Sequence, residues 1–271
     1  MTDFNNKTNI LDLIIANKKL EVASSKAKWP ASTLVKSEYF RRKTNSLVWE
    51  LNYFESTGII AEFKRKSPSK GIINNNADVA FTTSMYELYG AAGVSILTDK
   101  KFFGGNRHDI IYARPDVECP ILRKDFIIDE YQILEAKAMA ADVVLLIAAN
   151  LSPKEVKSLA TVAKNLDLEV LLELHTEREL DHICPEVDMI GINNRNLKTF
   201  EVDLDHAIRL AEKLPADKPK IAESGINSPE TLLYLKQHGF TGFLIGEKFM
   251  EETNPEIACR DFIRKLDGLQ A

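Results

Sequence analysis

The chain has 271 residues, 45% of them hydrophobic and 28% charged, the composition of an ordinary globular protein and the length of one large α/β domain or two small ones. A net charge of −5, with acidic residues interspersed among most of the Lys and Arg clusters, removes the electrostatic case for a nucleic-acid partner. Cys119, Cys184 and Cys259 lie far apart, with neither zinc-ligand spacing nor an even disulfide set, and fit a reducing cytoplasm.

The N-terminal stretch "MTDFNNKTNILDLIIANKKLEVASSK" has no continuous apolar core of signal-peptide length, and no other stretch approaches a membrane span. Its apolar residues Ile10, Leu13, Ile14 and Leu20 predict an amphipathic helix capped by Asn9 or Thr8, and Pro30 in "KAKWPAS" ends it. Residues 1–57 read as an extension of two or three helices. Its apolar residues are too few to stabilise a separate domain, so it is expected to pack on the remainder of the chain.

From Ile59 onward, short Val/Ile/Leu runs recur: "GIIAEFK", "VSILT", "CPILRKD", "DVVLLIA", "LEVLLEL", "VDMIGIN", "KPKIAES" and "TGFLIGE". Segments of helical periodicity separate them, starting at Asp129-Glu130, Ser152-Pro153 and Ser228-Pro229 and ending on glycines such as Gly93 and Gly239. Continuous apolar strands alternating with amphipathic helices imply a parallel sheet covered by helices. About eight such units, closed by a last helix near Pro255 to Leu266, match a (β/α)8 barrel, a TIM barrel, over residues 58–271. A doubly wound open sheet is the alternative, but no GxGxxG follows the first strand.

Such a barrel carries its active site at the C-terminal ends of the strands. Those ends supply Glu62, Lys64 and Ser67, then Arg123, Lys124 and Asp125, then Glu173 and His175. Later ends supply Asn193, Asn194 and Arg195, then Glu223, Ser224 and Gly225, and finally Gly246 and Glu247. Polar loops explain part of this, since strand ends meet loops in any case. They explain less well a lysine directly after "ILR" or a glutamate directly after "VLL". Glu62 and Lys64, two apart, share a face and can point into one cavity. Converging lysines and carboxylates shift one another's pKa values, as acid/base chemistry requires. Gly225 in "AESGIN" and Gly246 in "LIGEKF" end the seventh and eighth strands, the usual phosphate position in these barrels.

The ordered set "IIAEFKRKSPSKG", "SILTDKKFFGG", "PILRKDFIIDEYQI", "DVVLLIAANLS", "LLELHTEREL", "IGINNRNLKTFEVD", "IAESGI" and "FLIGEKFM" resembles the indole-3-glycerol phosphate synthase family over nearly the whole chain. The resemblance implies conversion of 1-(2-carboxyphenylamino)-1-deoxyribulose 5-phosphate to indole-3-glycerol phosphate, with loss of carbon dioxide and water and no metal or organic cofactor. It implies that Lys124 and Lys64 supply acids and that Glu173 stabilises positive charge or takes a proton. Glu62 would orient Lys64 and a substrate hydroxyl, and Asn193 would hold the hydroxyl that leaves. Ser67, Arg195 and Ser224 match substrate-site positions, and Phe103, Phe126 and Leu145 match an apolar wall around the anthranilate ring. Arg65 and Lys66 are expected to face outward.

The sequence departs from the family at Glu247, where many members carry a small hydroxyl residue after the glycine. A carboxylate there would repel phosphate, so only the Glu247 backbone N–H is expected to serve with Gly225 and Gly246. No role attaches to His175, and His108, His182, His206 and His238 read as surface residues. The implied partner is a small phosphorylated molecule, with neither nucleic acid nor membrane, and with room for weak contact with other tryptophan-pathway enzymes. Two other readings use the same barrel: an isomerase or decarboxylase needing no aromatic wall, and a binding barrel with a decayed site.

Overall fold

The computed structural model describes residues 9–195 and 201–270. Thr8 and positions 196–200, within "NNRNLKTFEVD", lie outside the described residues. Eight parallel strands form the centre: β1 (Ile59–Phe63), β2 (Gly93–Leu97), β3 (Ile121–Lys124), β4 (Val143–Ile147), β5 (Glu169–Leu174), β6 (Met189–Asn193), β7 (Lys220–Glu223) and β8 (Gly242–Ile245). Each pairs with its chain neighbours, and β1 closes on β8 with Ile59 opposite Phe243, so the sheet is a closed barrel and not an open one. Helices wrap it between strands. Those at Glu130–Ala138, Pro153–Asn165 and Pro229–Gln237 start on Asp129, Ser152 and Ser228, whose side chains each accept a backbone N–H of the first turn.

Side chains alternate between the two faces of a strand, so one parity in each points to the barrel axis. Ile60, Leu122, Val143, Leu145, Leu171, Met189, Ile221 and Leu244 form one apolar cluster on that axis. Two residues further on, the same parity gives Glu62, Lys124, Glu173 and Glu223. The interior is thus apolar at its lower end and ionic at its upper end. A larger apolar cluster fills the layer between strands and helices.

Helix α1 (Ile10–Lys28) is capped by the Asn9 side chain, which accepts from Leu11 N at 3.2 Å. Its buried stripe is Leu11, Ile14, Lys18 and Val22, while Leu13 and Leu20 are exposed. The expected apolar stripe is therefore rotated. A count of apolar residues passes over Lys18, which is inserted between the carboxylates of Asp99 and Asp125. Helix α2 (Leu47–Asn52) caps the lower end of the barrel, with Leu47 and Leu51 joining the interior cluster. Each such burial contributes about 1.5–3 kcal/mol. The Leu47 and Val48 N–H groups donate to the Glu169 carboxylate at 2.8 and 3.1 Å.

Gly93 does not end a helix. It opens β2, where a Cβ would lie 3.0 Å from Leu47 and 3.1 Å from the Pro120 carbonyl. The preceding helix (Val79–Leu88) runs out instead into Gly90, at φ +102°. The last helix runs from Pro255 to Gln270, a turn beyond the expected end. His182 is buried, with Nε2 2.9 Å from the Leu151 carbonyl, so it is a core histidine and not a surface one. The three cysteines are free, and burial pushes the Cys259 thiol up to about 12. Among the described residues no helix is long and apolar enough to cross a membrane.

Candidate active site

The upper mouth of the barrel opens into a cavity lined by the expected site residues: Glu62, Lys64, Ser67, Phe103, Lys124, Phe126, Leu145, Glu173, Asn193, Arg195, Ser224, Gly225, Gly246 and Glu247. Ile10, Leu11 and Ile14 of α1 line it too. Its ionic floor has two parts. In the first, Lys124 Nζ lies 3.2 Å from Glu173 Oε2 and 3.4 Å from Glu223 Oε2. Asn193 donates to Glu173 Oε1 at 3.1 Å, and Ser224 donates to Asn193 Oδ1 at 2.9 Å. In the second, Lys64 donates to Glu62 Oε1 at 2.7 Å, and Ser95 donates to Glu62 Oε2 at 3.4 Å.

Three of these groups titrate far from their usual values. Burial alone would lower Lys124, but the negative charges of Glu173, Glu223 and Glu62 outweigh it and hold the amine well above the lysine range. Burial would raise Glu173, yet Lys124, His175 and the Asn193 hydrogen bond bring it down. Glu223 goes the other way, pushed up to about 8 by burial and by Glu173 and Glu62, against the pull of Lys124. The floor therefore holds an ammonium, a carboxylate and a carboxyl that keeps its proton near neutrality.

Glu223 stands among the strand ends in the sequence, but nothing there gives it a role. Its parity with Ile221 is the signal that places it on the axis. Gly191 of β6 makes room for it, since a Cβ there would lie 2.4 Å from Glu223 Oε1. His175 lies beside this floor. Its Nε2 stands 3.2 Å from Glu173 Oε1, without hydrogen-bond geometry, so the ring adds to the surroundings of that carboxylate.

Phe103 and Phe126 form one wall, with ring centroids 5.8 Å apart, and Leu145 lies below them. Arg65 turns outward over the Phe63 ring and pairs with Asp109, and Lys66 donates to the Lys101 carbonyl. Ser67 is buried in the loop after β1 and accepts from Lys70 N at 3.2 Å.

The two glycine turns differ. Ser224 and Gly225 are both left-handed, at φ +68° and +77°, a strained conformation for serine. Gly246 has a negative φ, and its missing Cβ makes room for Glu62, whose Oε1 would otherwise lie 2.6 Å from it. Glu247 presents more than its backbone N–H. Its carboxylate reaches Lys70 Nζ at 3.0 Å and Arg195 Nη2 at 3.5 Å.

Behind the Phe126 wall, Lys18 of α1 is buried with Nζ 2.9 Å from Asp99 Oδ2 and 2.8 Å from Asp125 Oδ1. Arg123 bridges Asp125 at 3.1 Å and Glu135 at 2.7 Å. Asp125 sits in sequence between Lys124 and Phe126, so this buried network joins α1 to the end of β3. No group of three or more His, Cys, Asp and Glu side chains that could hold a metal occurs among the described residues.

A family model for indole-3-glycerol phosphate synthase matches residues 11–262. The chain is 48% identical over 258 residues to the indole-3-glycerol phosphate synthase of Bacteroides thetaiotaomicron, covering 95% of this chain and 99% of that protein. To the enzyme of the same name from Bordetella pertussis it is 40% identical, covering 92% and 97%. Among solved structures it is similar to a mutant tryptophan synthase alpha-subunit from Pyrococcus furiosus, with a TM-score of 0.59 at 13% identity, covering 78% of this chain and 98% of that one. A thiamine phosphate pyrophosphorylase from the same organism has a TM-score of 0.56 at 13% identity, covering 79% and 96%. At such identities the likeness concerns the fold alone.

Proposed function

The chain belongs to the indole-3-glycerol phosphate synthase family, and we propose that its barrel mouth performs that reaction through Lys124, Lys64, Glu173, Glu62 and Asn193. It is a carboxy-lyase of tryptophan biosynthesis, acting on 1-(2-carboxyphenylamino)-1-deoxyribulose 5-phosphate. An aromatic carbon attacks the ribulose ketone, whose oxygen gains a proton. The cationic intermediate then loses its carboxylate as carbon dioxide. Loss of one hydroxyl as water and of one ring proton completes the indole.

The observation that carries the residue assignment is Lys124 held between Glu173 and Glu223. The ionised Glu173, with the Glu223 carboxyl beside it, makes a resting Lys124 a weak acid. As ring closure puts positive charge beside them, that charge competes for Glu173 and loosens its hold on the ammonium. Lys124 then becomes a stronger acid at the step that needs one. Glu173, ionised, stabilises the cation and is suited to take the ring proton. Glu223, near 8, can exchange a proton within the working pH range. Lys64, oriented by Glu62, serves as the second acid, and Asn193 with Ser224 holds the departing hydroxyl.

Phe103, Phe126 and Leu145 surround the anthranilate ring, while Ser67 and Arg195 contact the substrate's polar groups. The phosphate sits against the backbone at Gly225, Gly246 and Glu247. Residues 1–57 form part of the catalytic unit in this reading, because α1 lines the cavity and Lys18 ties it to β3. The same reading locates the enzyme in the cytoplasm, with weak contacts at most to other enzymes of the pathway.

The test is a fluorescence assay for the indole product with the purified chain and the carboxyphenylamino-deoxyribulose phosphate. Product should appear at steady state. A folded chain that leaves the substrate unchanged would rule the activity out, and one that only isomerises it would assign the site to another reaction.

A further inference from the structure

Two lysines at the mouth are held by glutamates of the chain itself. Lys64 is held by Glu62, and Lys124 by Glu173 and Glu223. Glu62, Glu173 and Glu223 are almost fully buried, on the axis of the barrel. Glu247 is different. It stands just beyond β8, half-buried, and it reaches two cations from two separate loops: Lys70 after β1 and Arg195 after β6. Burial would raise its pKa, but Lys70 and Arg195 together bring it below the usual carboxylate value, so it is an anion at neutral pH.

This anion lies beside Gly225 and Gly246, on the same cavity wall. A phosphate bound against those turns and the Glu247 carboxylate would be like charges at close range, each drawn to Lys70 and Arg195. They cannot share those partners without strong repulsion, which at an effective dielectric near 20 and a separation of about 4 Å is several times thermal energy. The side chain is exposed enough to leave, and Lys70 retains a second partner in Glu251, at 3.3 Å.

We propose that the Glu247 carboxylate is a built-in competitor for the substrate's phosphate, occupying Lys70 and Arg195 in the empty site and giving way when an anion binds. The proposal rests on the phosphate position assigned to Gly225, Gly246 and the Glu247 backbone. Glu247 in this role touches no reacting atom. It sets the affinity of the mouth for anions, and its effect belongs to binding and not to the chemical steps.

Inorganic phosphate is the probe. Its competitive inhibition constant and the substrate KM are to be measured for the wild type, Glu247→Gln and Glu247→Ser. Loss of the charge should tighten both constants at least about fivefold in either variant, with a smaller change in kcat. An unchanged or weakened phosphate inhibition in Glu247→Gln would overturn the proposal, since that is the result if the carboxylate serves to hold Arg195 in place for the ligand. If phosphate inhibits the wild type, such a failure leaves the phosphate position standing. If phosphate inhibits neither protein at high concentration, both readings fall together.

Discussion

Replacing Lys124 by alanine is expected to lower turnover at least about a hundredfold with the barrel still folded, the usual consequence of losing a positioned acid. The change removes more than a donor. Lys124 is what keeps Glu173 ionised, since burial alone would push that carboxyl up. Without the ammonium, Glu173 and Glu223 face each other in a buried site, and at neutral pH they bind an additional proton. The variant therefore loses its acid and, in part, its base. Proton uptake also limits the stability cost of the broken ion pairs. In the wild type, Glu223 already binds a proton that the unfolded chain releases above about pH 4.3. Stability from this group is thus greatest below that pH and declines as pH rises towards 8. In Lys124→Ala the decline should extend to higher pH. Circular dichroism would report the fold, and steady-state indole fluorescence the rate. A folded variant with near-normal turnover would remove Lys124 from the mechanism.

The largest expected effect on stability comes from Lys18→Met. The lysine side chain is 4% exposed, Asp99 0% and Asp125 3%, so the substitution leaves two carboxylates buried without their main cation. Breaking a buried pair in this way costs about 3–5 kcal/mol, or roughly ten degrees of melting temperature for a chain of this size. The pH dependence follows from the signs. Burial would raise Asp125, but Lys18 and Arg123 outweigh it and hold it far below the usual carboxylate value. Its contribution is present above its unfolded pKa near 3.9 and is lost only in strong acid. Burial would lower Lys18, but Asp125 and Asp99 outweigh it and raise the amine above its usual value. Its contribution is present below about pH 10.4 and is lost as pH rises through the folded value. The deficit of the variant should accordingly be flat across neutral pH and shrink only at the extremes. Substrate KM should rise as well, because α1 lines the cavity and Asp125 adjoins both Lys124 and Phe126. Thermal unfolding of wild type and variant between about pH 5 and 9 is the check, and an unaltered melting temperature would show the network to be inert.

The barrel is legible in the sequence because its strands are short, apolar and regularly spaced, and the ordered strand-end motifs make the site legible with it. Parity within the strands is legible too, and it pairs Glu62 with Lys64. Applied to Ile221 and Glu223, the same rule puts a third glutamate beside Lys124, and nothing but the register of β7 is needed to see it. The helical extension is harder. Its stripe of Leu11, Ile14, Lys18 and Val22 includes a lysine, and no apolar periodicity leads to a residue whose burial depends on Asp99 and Asp125, each more than seventy positions away. Gly93 misleads for a related reason. It is a glycine because a distant side chain, Leu47, occupies the space of its Cβ, which is a fact of packing and not of local turn chemistry. The ion pairs of Glu247 with Lys70 and Arg195 likewise join three loops that only the closed barrel brings together.

The most direct test of the proposed mechanism is the number of carbon dioxide molecules released per indole ring formed by the wild-type chain, measured in one reaction mixture. Ring closure, decarboxylation and dehydration in a single site predict a ratio of one, constant through the time course, with no carbon dioxide lag or excess. Carbon dioxide release without the indole ring, or a ring product that keeps its carboxylate, would contradict it.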